Sequence, residues 1–162
     1  GIIGLGAIGR RVAEIARAFG AKVIYYSASG APAQEGYEQV DFETLLTQSD
    51  IISVHAPLNE HTEGLINSKV FEKMKSSCIF LNLGRGPIVV EQDLYEALEN
   101  DEIAAAGLDV LCQEPMSETN PLRKIKDSKK LLITPHVAWA SVEARTKLMG
   151  IILGQVKEYF QI

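Results

Sequence analysis

The chain is 162 residues long, 46% hydrophobic and 23% charged, with a net charge of −5 at pH 7. That length suits one domain with a single sizeable core, and the composition is ordinary for a globular protein. The acidic balance offers no basic face for neutralising phosphates, which argues against a nucleic-acid partner, and no apolar stretch is long enough to span a membrane.

The first residues read Gly1-Ile2-Ile3-Gly4-Leu5-Gly6-Ala7-Ile8-Gly9-Arg10. An apolar run leads into Gly4, Gly6 and Gly9 at G-x-G-x-x-G spacing. A helical pattern follows, with Val12, Ile15, Ala16 and Phe19 on one face and Gly20 as its stop. Glycines also mark plain strand-to-helix turns; here the flanking strand and helix favour the dinucleotide fingerprint. The first glycine turns the chain, the second admits a pyrophosphate against the backbone, and the third packs helix on strand. The pyrophosphate would rest on free N–H groups at the positive end of the helix. Because the chain starts inside this strand, residues 1–162 are expected to be one domain of a longer protein.

Lys22 to Tyr26 predicts a second strand, broken by Ser27-Ala28-Ser29-Gly30-Ala31-Pro32. The fingerprint places an acid at this strand's end to bind the adenosine ribose, and Ser27 stands there instead. Without that carboxylate a 2′-phosphate is not repelled, yet no Lys or Arg occurs from Val23 to Ser68 to grip one. NAD is favoured and NADP stays open. Asp41 to Gln48 predicts a short helix, Asp50 to His55 a third strand and Asn67 to Met74 a helix capped by Asn67 or Ser68. His55 reads as structural. Cys78 to Leu83 is a continuous apolar strand, as burial on both faces requires, and it leads into Gly84-Arg85-Gly86-Pro87.

Glu91 to Glu99 predicts a helix with Leu94, Tyr95 and Leu98 inward, and Ile103 to Val110 a fifth strand ending near Asp109. Met116 to Lys130 reads as a polar surface excursion. Leu131 to Thr134 is a sixth strand, followed by Pro135-His136-Val137-Ala138-Trp139, and Ser141 caps a last helix to about Phe160. Its apolar stripe is Ala144, Leu148, Ile151, Ile152 and Val156. Cys78 and Cys112 lack metal or disulfide spacing and read as reduced thiols of a cytoplasmic protein; no metal site is expected. This βα alternation predicts an α/β, doubly wound parallel Rossmann sheet with helices on both faces.

In such a sheet ligands bind at the carboxyl ends of the strands, where His55, Arg85, Asp109 with Glu114, and His136 all fall. Hydride transfer between a nicotinamide and an alcohol or carbonyl needs a base near neutrality, which histidine supplies. A neighbouring carboxylate would fix its tautomer, and an arginine could bind a substrate carboxylate bidentately. On its own stretch, Arg85 equally fits a surface salt bridge.

Taken together, the Gly4–Gly9 turn, His55-Ala56-Pro57-Leu58 with Thr62, Asn82-Leu83-Gly84-Arg85-Gly86, Gly107-Leu108-Asp109-Val110 with Glu114-Pro115, and Pro135-His136 resemble one family over essentially the whole chain. It is the nucleotide-binding domain of the D-isomer-specific 2-hydroxyacid dehydrogenases. The resemblance implies that Arg85 binds substrate carboxylate and carbonyl, His136 is the acid/base and Glu114 orients it. It implies that Asp109 holds the nicotinamide carboxamide, and that Gly4, Gly6, Ala7, Ile8, Gly9, Ser27, Ala56, Pro57, Thr62, Leu83, Gly84, Arg85, His136 and Ala138 line the cofactor cleft. Two departures stand out: Ser27 replaces the usual acid, and Ala7 replaces an arginine common against the pyrophosphate. The segment from His136 to Ser141 looks most like the glycerate dehydrogenases, also called hydroxypyruvate reductases, with Trp139 in the substrate pocket or in the core. The family also implies a homodimer, a flanking substrate domain and a small 2-keto or 2-hydroxy acid as substrate. Two alternatives remain: formate dehydrogenase, where glutamine usually replaces Glu114, and a corepressor-like sensor of NAD(H).

Overall fold

The computed structural model describes residues 1–161. Seven strands form one sheet: β1 (Ile2–Ile3), β2 (Ile24–Tyr26), β3 (Glu38–Gln39), β4 (Ile51–Val54), β5 (Ile79–Asn82), β6 (Ala105–Leu108) and β7 (Leu131–Ile133). Their spatial order is β3-β2-β1-β4-β5-β6-β7, with every pair parallel. The chain winds outward from β1 in one direction, returns past it, and winds outward in the other. This is the doubly wound Rossmann arrangement expected from the sequence.

Successive strand residues face opposite sides of a sheet, and β1 shows the consequence. Ile2 joins Leu5, Ala13, Val23 and Tyr25 in a core under α1 (Ala7–Ala18), while Ile3 joins a larger core on the other face. That larger core takes Leu45 and Leu46 from α2 (Phe42–Gln48), Val70 and Phe71 from α3 (Ser68–Phe71), and Leu94, Ala97 and Leu98 from α4 (Glu91–Glu99). Fully burying each leucine contributes about 1.5–3 kcal/mol, so these helices are held by their inward faces rather than by intrinsic propensity.

Of the predicted caps, Ser141 holds and Asn67 does not, while Asp41, read as the first residue of its helix, proves to be the cap of α2. Asp41 accepts the Thr44 N–H at 2.7 Å, and Ser141 accepts the Ala144 N–H at 3.1 Å at the start of α5 (Val142–Phe160). Asn67 does not cap: its amide donates to Gly64 O, and Asp93 of α4 accepts the Ser68 N–H at 2.7 Å instead. Helix α3 ends at Phe71 rather than Met74 because the next turn tightens, Lys73 and Met74 bonding three residues back.

Three further features differ from the sequence expectation. Strand β3 is two residues long and exists through pairing with β2; no two-residue alternation can announce it. The excursion from Met116 to Lys130 is partly anchored, with Asn120 and Leu122 buried at a short 3₁₀ turn over Pro121–Lys124. The apolar stripe of α5 is not buried: Leu148, Ile151, Ile152 and Val156 are all exposed. Among the described residues, no helix is long and apolar enough to cross a membrane.

Candidate functional site

Backbone hydrogen bonds carry the sheet ladder past the strand ends and align the predicted residues along one edge. Gly4 N donates to Tyr26 O, His55 N to Ile3 O, Asp109 N to Asn82 O and Thr134 N to Leu108 O. The segments after β1, β2, β4, β5, β6 and β7 therefore leave the sheet side by side.

At one end of this edge lies the glycine turn. Gly4 has φ +93°, and a Cβ there would come within 2.8 Å of Ala56 N, so the turn needs glycine for both conformation and space. A Cβ on Gly9 would collide with Gly4 O. Gly6 is the contrast: apart from its immediate chain neighbours, no atom lies within 4 Å of where its Cβ would be. Helix α1 begins there with no side-chain cap and no acid in its first turn, so the first N–H groups, on Ala7, Ile8 and Gly9, have no intrahelical or side-chain acceptor. Ile8 is exposed above them. Uncapped donors beside a bare glycine fit a pyrophosphate.

Beyond the turn, a cavity of about 720 Å³ opens at the ends of β2 and β3, lined by Ser27, Ala28, Gln39 and Asp41 among others. The Ser27 hydroxyl accepts the Ala31 N–H at 3.1 Å and shapes its own loop. No Lys or Arg lines this cavity, whereas Asp41 does. The sequence reading passed over Gln34, whose amide donates to Leu5 O at 2.9 Å and ties the loop after β2 to the glycine turn. A lone glutamine in a loop carries no sequence signal for this.

In the middle of the edge, Ala56 is buried between Gly4 and Gly84, while Pro57 and Leu83 are exposed. Thr62 is buried, and its hydroxyl donates to Pro57 O at 2.7 Å and accepts Asn59 N–H at 2.9 Å. It shapes the wall of the cleft through the backbone rather than presenting its hydroxyl. His55 is half-buried and shares a 2.9 Å hydrogen bond with Ser53; burial lowers its pKa. That agrees with a structural role.

At the other end the charged groups gather. Asn82 brackets the next turn, its amide donating to Arg85 O at 3.0 Å and its carbonyl accepting Gly84 N–H at 3.1 Å. Arg85 is exposed and spends one donor on its neighbour Gly84 O, which leaves most of its guanidinium fork available. His136 Nδ1 lies 2.7 Å from Glu114 Oε2, across 22 residues of chain. The other Glu114 oxygen accepts the Leu111 N–H at 2.9 Å. That backbone bond, followed by the one to His136, holds the Glu114 carboxyl below its usual range. Both side chains are 38% exposed, so the pair is open to a ligand. With Pro135 and Asp109, they line a cavity of about 540 Å³.

Asp109 is buried beneath His136 and engaged by three donors: the Thr134 hydroxyl, Val137 N–H at 2.9 Å and Ala138 N–H at 2.9 Å. Burial pushes its carboxyl upward, but these bonds outweigh it and keep the group ionised below the ordinary range. They also hold His136 at φ +52°, a left-handed conformation costing a non-glycine residue about 1–2 kcal/mol. A carboxylate has about four acceptor positions, so one remains for a further donor. Trp139 follows this loop, 54% exposed and outside the lining of the His136 cavity. Among the described residues no cluster of His, Cys, Asp and Glu could hold a metal ion.

This sheet order, glycine turn and edge define a dinucleotide-binding domain of Rossmann type. The sequence profile of the D-isomer specific 2-hydroxyacid dehydrogenase NAD binding domain matches residues 1–138, and the chain belongs to that family. It is 45% identical over 163 residues to a hydroxypyruvate reductase of Blautia hydrogenotrophica, covering 99% of this chain and 50% of the relative. Among solved structures, an acyclic imino acid reductase in complex with NADPH and D-Arg superposes with a TM-score of 0.87 at 38% identity, covering 99% of this chain and 50% of that one. A D-lactate dehydrogenase from Aquifex aeolicus complexed with NAD and lactic acid gives 0.89 at 27% identity, covering 99% and 52%. The chain thus spans about half the length of the proteins it matches.

Proposed function

We propose that the protein carrying this domain is a D-2-hydroxyacid dehydrogenase, which reduces a small 2-keto acid of the hydroxypyruvate or glyoxylate kind. The observation that carries this reading is the 2.7 Å bond between His136 and Glu114 on the edge that also bears the Arg85 turn. When bound, the nicotinamide supplies the hydride for the C2 carbonyl. The chain's own residues bind and protonate. With Nδ1 donating to Glu114, His136 has Nε2 free to deliver a proton to the carbonyl oxygen as charge develops there. Glu114 fixes the tautomer and the orientation of the ring through that bond. The Arg85 guanidinium grips the substrate carboxylate and polarises the neighbouring carbonyl.

The uncapped start of α1 would hold the pyrophosphate, and the cavity beside Ser27 the adenosine ribose. Asp109, with one acceptor position left, would take the nicotinamide carboxamide. NAD is favoured over NADP because no Lys or Arg lines the cavity proposed for the ribose, while Asp41 does. The flanking substrate domain would complete the pocket, and the exposed Trp139, outside the His136 cavity of this domain, would contribute only from that side. The exposed apolar face of α5 fits burial in a homodimer, and two free cysteines suit the cytoplasm.

The test is a panel of hydroxypyruvate, glyoxylate, pyruvate and formate with NADH, NADPH and NAD, run on the full-length protein. Turnover of a 2-keto acid at an ordinary enzymatic rate, on the order of 1 to 10³ per second, is the expected result. Tight NADH binding with no turnover would replace this reading with a cofactor sensor, and oxidation of formate would replace it with a formate dehydrogenase.

A further inference from the structure

The loop that carries Glu114 is tied to the body of the domain by another carboxylate. Glu91 opens α4, where an acidic side chain commonly serves the free N–H groups of its own first turn. Instead it reaches outward: Oε1 accepts the Cys112 N–H at 2.8 Å, and Oε2 accepts the Asn120 Nδ2 donor at 2.8 Å. Asn120 is buried, and its own carbonyl accepts the Leu122 N–H at 2.9 Å. One carboxylate thereby fastens both ends of the segment 112–120.

Glu114 lies inside that segment and takes the N–H of Leu111, the residue preceding Cys112. From the other side, a Cβ on Gly86 would collide with the backbone of Leu111 and Cys112, so the chain leaving Arg85 packs on the same two residues. The backbone held by Glu91 is therefore the piece lying between the Arg85 turn and the Glu114–His136 pair.

We infer that Glu91 is a positioning residue for the acid/base pair, its carboxylate setting the 112–120 loop so that Glu114 faces His136. This rests on reading that pair as the proton-transfer machinery. A carboxylate can accept from both donors at once, whereas an amide offers one oxygen and sets its NH₂ against the other donor. The titratable neighbour of Glu91 is Cys112, whose thiol is pushed up to about 11 by burial and then by the Glu91 charge, so it stays neutral. The charged groups facing Glu114 are His136 and Asp109.

The experiment compares Glu91→Gln and Glu91→Asp in the full-length protein, measuring kcat and KM for the 2-keto acid, NADH affinity by fluorescence, the pH profile and the melting temperature. In Glu91→Gln, loss of one bond to a charged acceptor lowers kcat about tenfold while NADH affinity changes less than about twofold. The low-pH limb moves to higher pH, because the Leu111 N–H that depresses Glu114 is no longer held in place. Glu91→Asp recovers part of kcat. A lower melting temperature with kcat and the limb unmoved would overturn the inference, as would an equal weakening of NADH binding. Should Glu91→Gln fail to fold, Asn120→Ala, which keeps the Cys112 tie, is judged by the same readings. Failure of the underlying acid/base reading looks different: Glu114→Gln alone would leave kcat and the pH profile unchanged.

Discussion

Replacing Glu114 with glutamine changes one atom and removes one charge, so its effect can be worked from the geometry. The His136–Glu114 bond is 2.7 Å long and both side chains are 38% exposed. Two unit charges about 4 Å apart attract by about 1 kcal/mol in water and about 4 kcal/mol at an effective dielectric of 20. Partial exposure puts this pair in the lower part of that range, and a hydrogen bond to a charged group contributes about 1.5–3 kcal/mol net. Roughly 1.5–2 kcal/mol of the hydrogen bond that positions the imidazole is therefore lost, a ten- to thirtyfold fall in kcat at about 1.4 kcal/mol per decade. NADH affinity stays nearly constant, since no cofactor contact is touched. The sign of the pH effect follows from the depressed Glu114 carboxyl. Wild-type support is fully present above the ordinary carboxylate range and disappears as pH falls through the depressed value; the glutamine variant lacks this limb. Steady-state NADH oxidation by the full-length protein, from acid to neutral pH, measures both. An unchanged kcat and profile, or a loss shared equally with NADH binding, would refute the role given to Glu114.

Three further outcomes follow from the same edge. Arg85→Lys replaces a bidentate fork by a point charge, and kcat/KM for the 2-keto acid should fall on the order of a hundredfold with NADH affinity kept; an equal loss of NADH affinity would remove Arg85 from substrate binding. Gly6→Ala meets no atom within 4 Å beyond its chain neighbours, so it should weaken NADH binding and leave the melting temperature alone, whereas Gly4→Ala, at φ +93°, should lower both. Matching effects would mean that the space above Gly6 is not where the pyrophosphate rests. Finally, Asp109 anchors the loop before Trp139 through carboxylate bonds. Its depressed carboxyl stabilises the fold above the ordinary carboxylate range, and that contribution is lost as pH falls through the folded-state value. Fluorescence of Trp139, the chain's one tryptophan, should change with that acid transition, and Asp109→Asn should show the acid-form signal at neutral pH.

What the sequence determined alone is what local rules can carry. Strand–turn–helix order, the spacing of Gly4, Gly6 and Gly9, the amphipathic run of Glu91–Glu99 and the cap at Ser141 depend on neighbours within a few residues, and they stand where periodicity and side-chain chemistry put them. The doubly wound sheet followed, because parallel strands joined by helices have few ways to close. The candidate site was legible as residue types at strand ends, and Arg85, Glu114 and His136 were named from chemistry and resemblance. Their support was not. The Glu91 bonds to Cys112 and Asn120, the hold of Thr134 on Asp109, and the Gln34 tie to Leu5 join residues 21 to 29 positions apart. Strand β3 forms because β2 is beside it, and the stripe of α5 stays exposed because no described element packs against it. A hydrogen bond between distant residues has no period and leaves no local mark; only when the sheet brings six chain segments to one edge does it acquire a length and an angle.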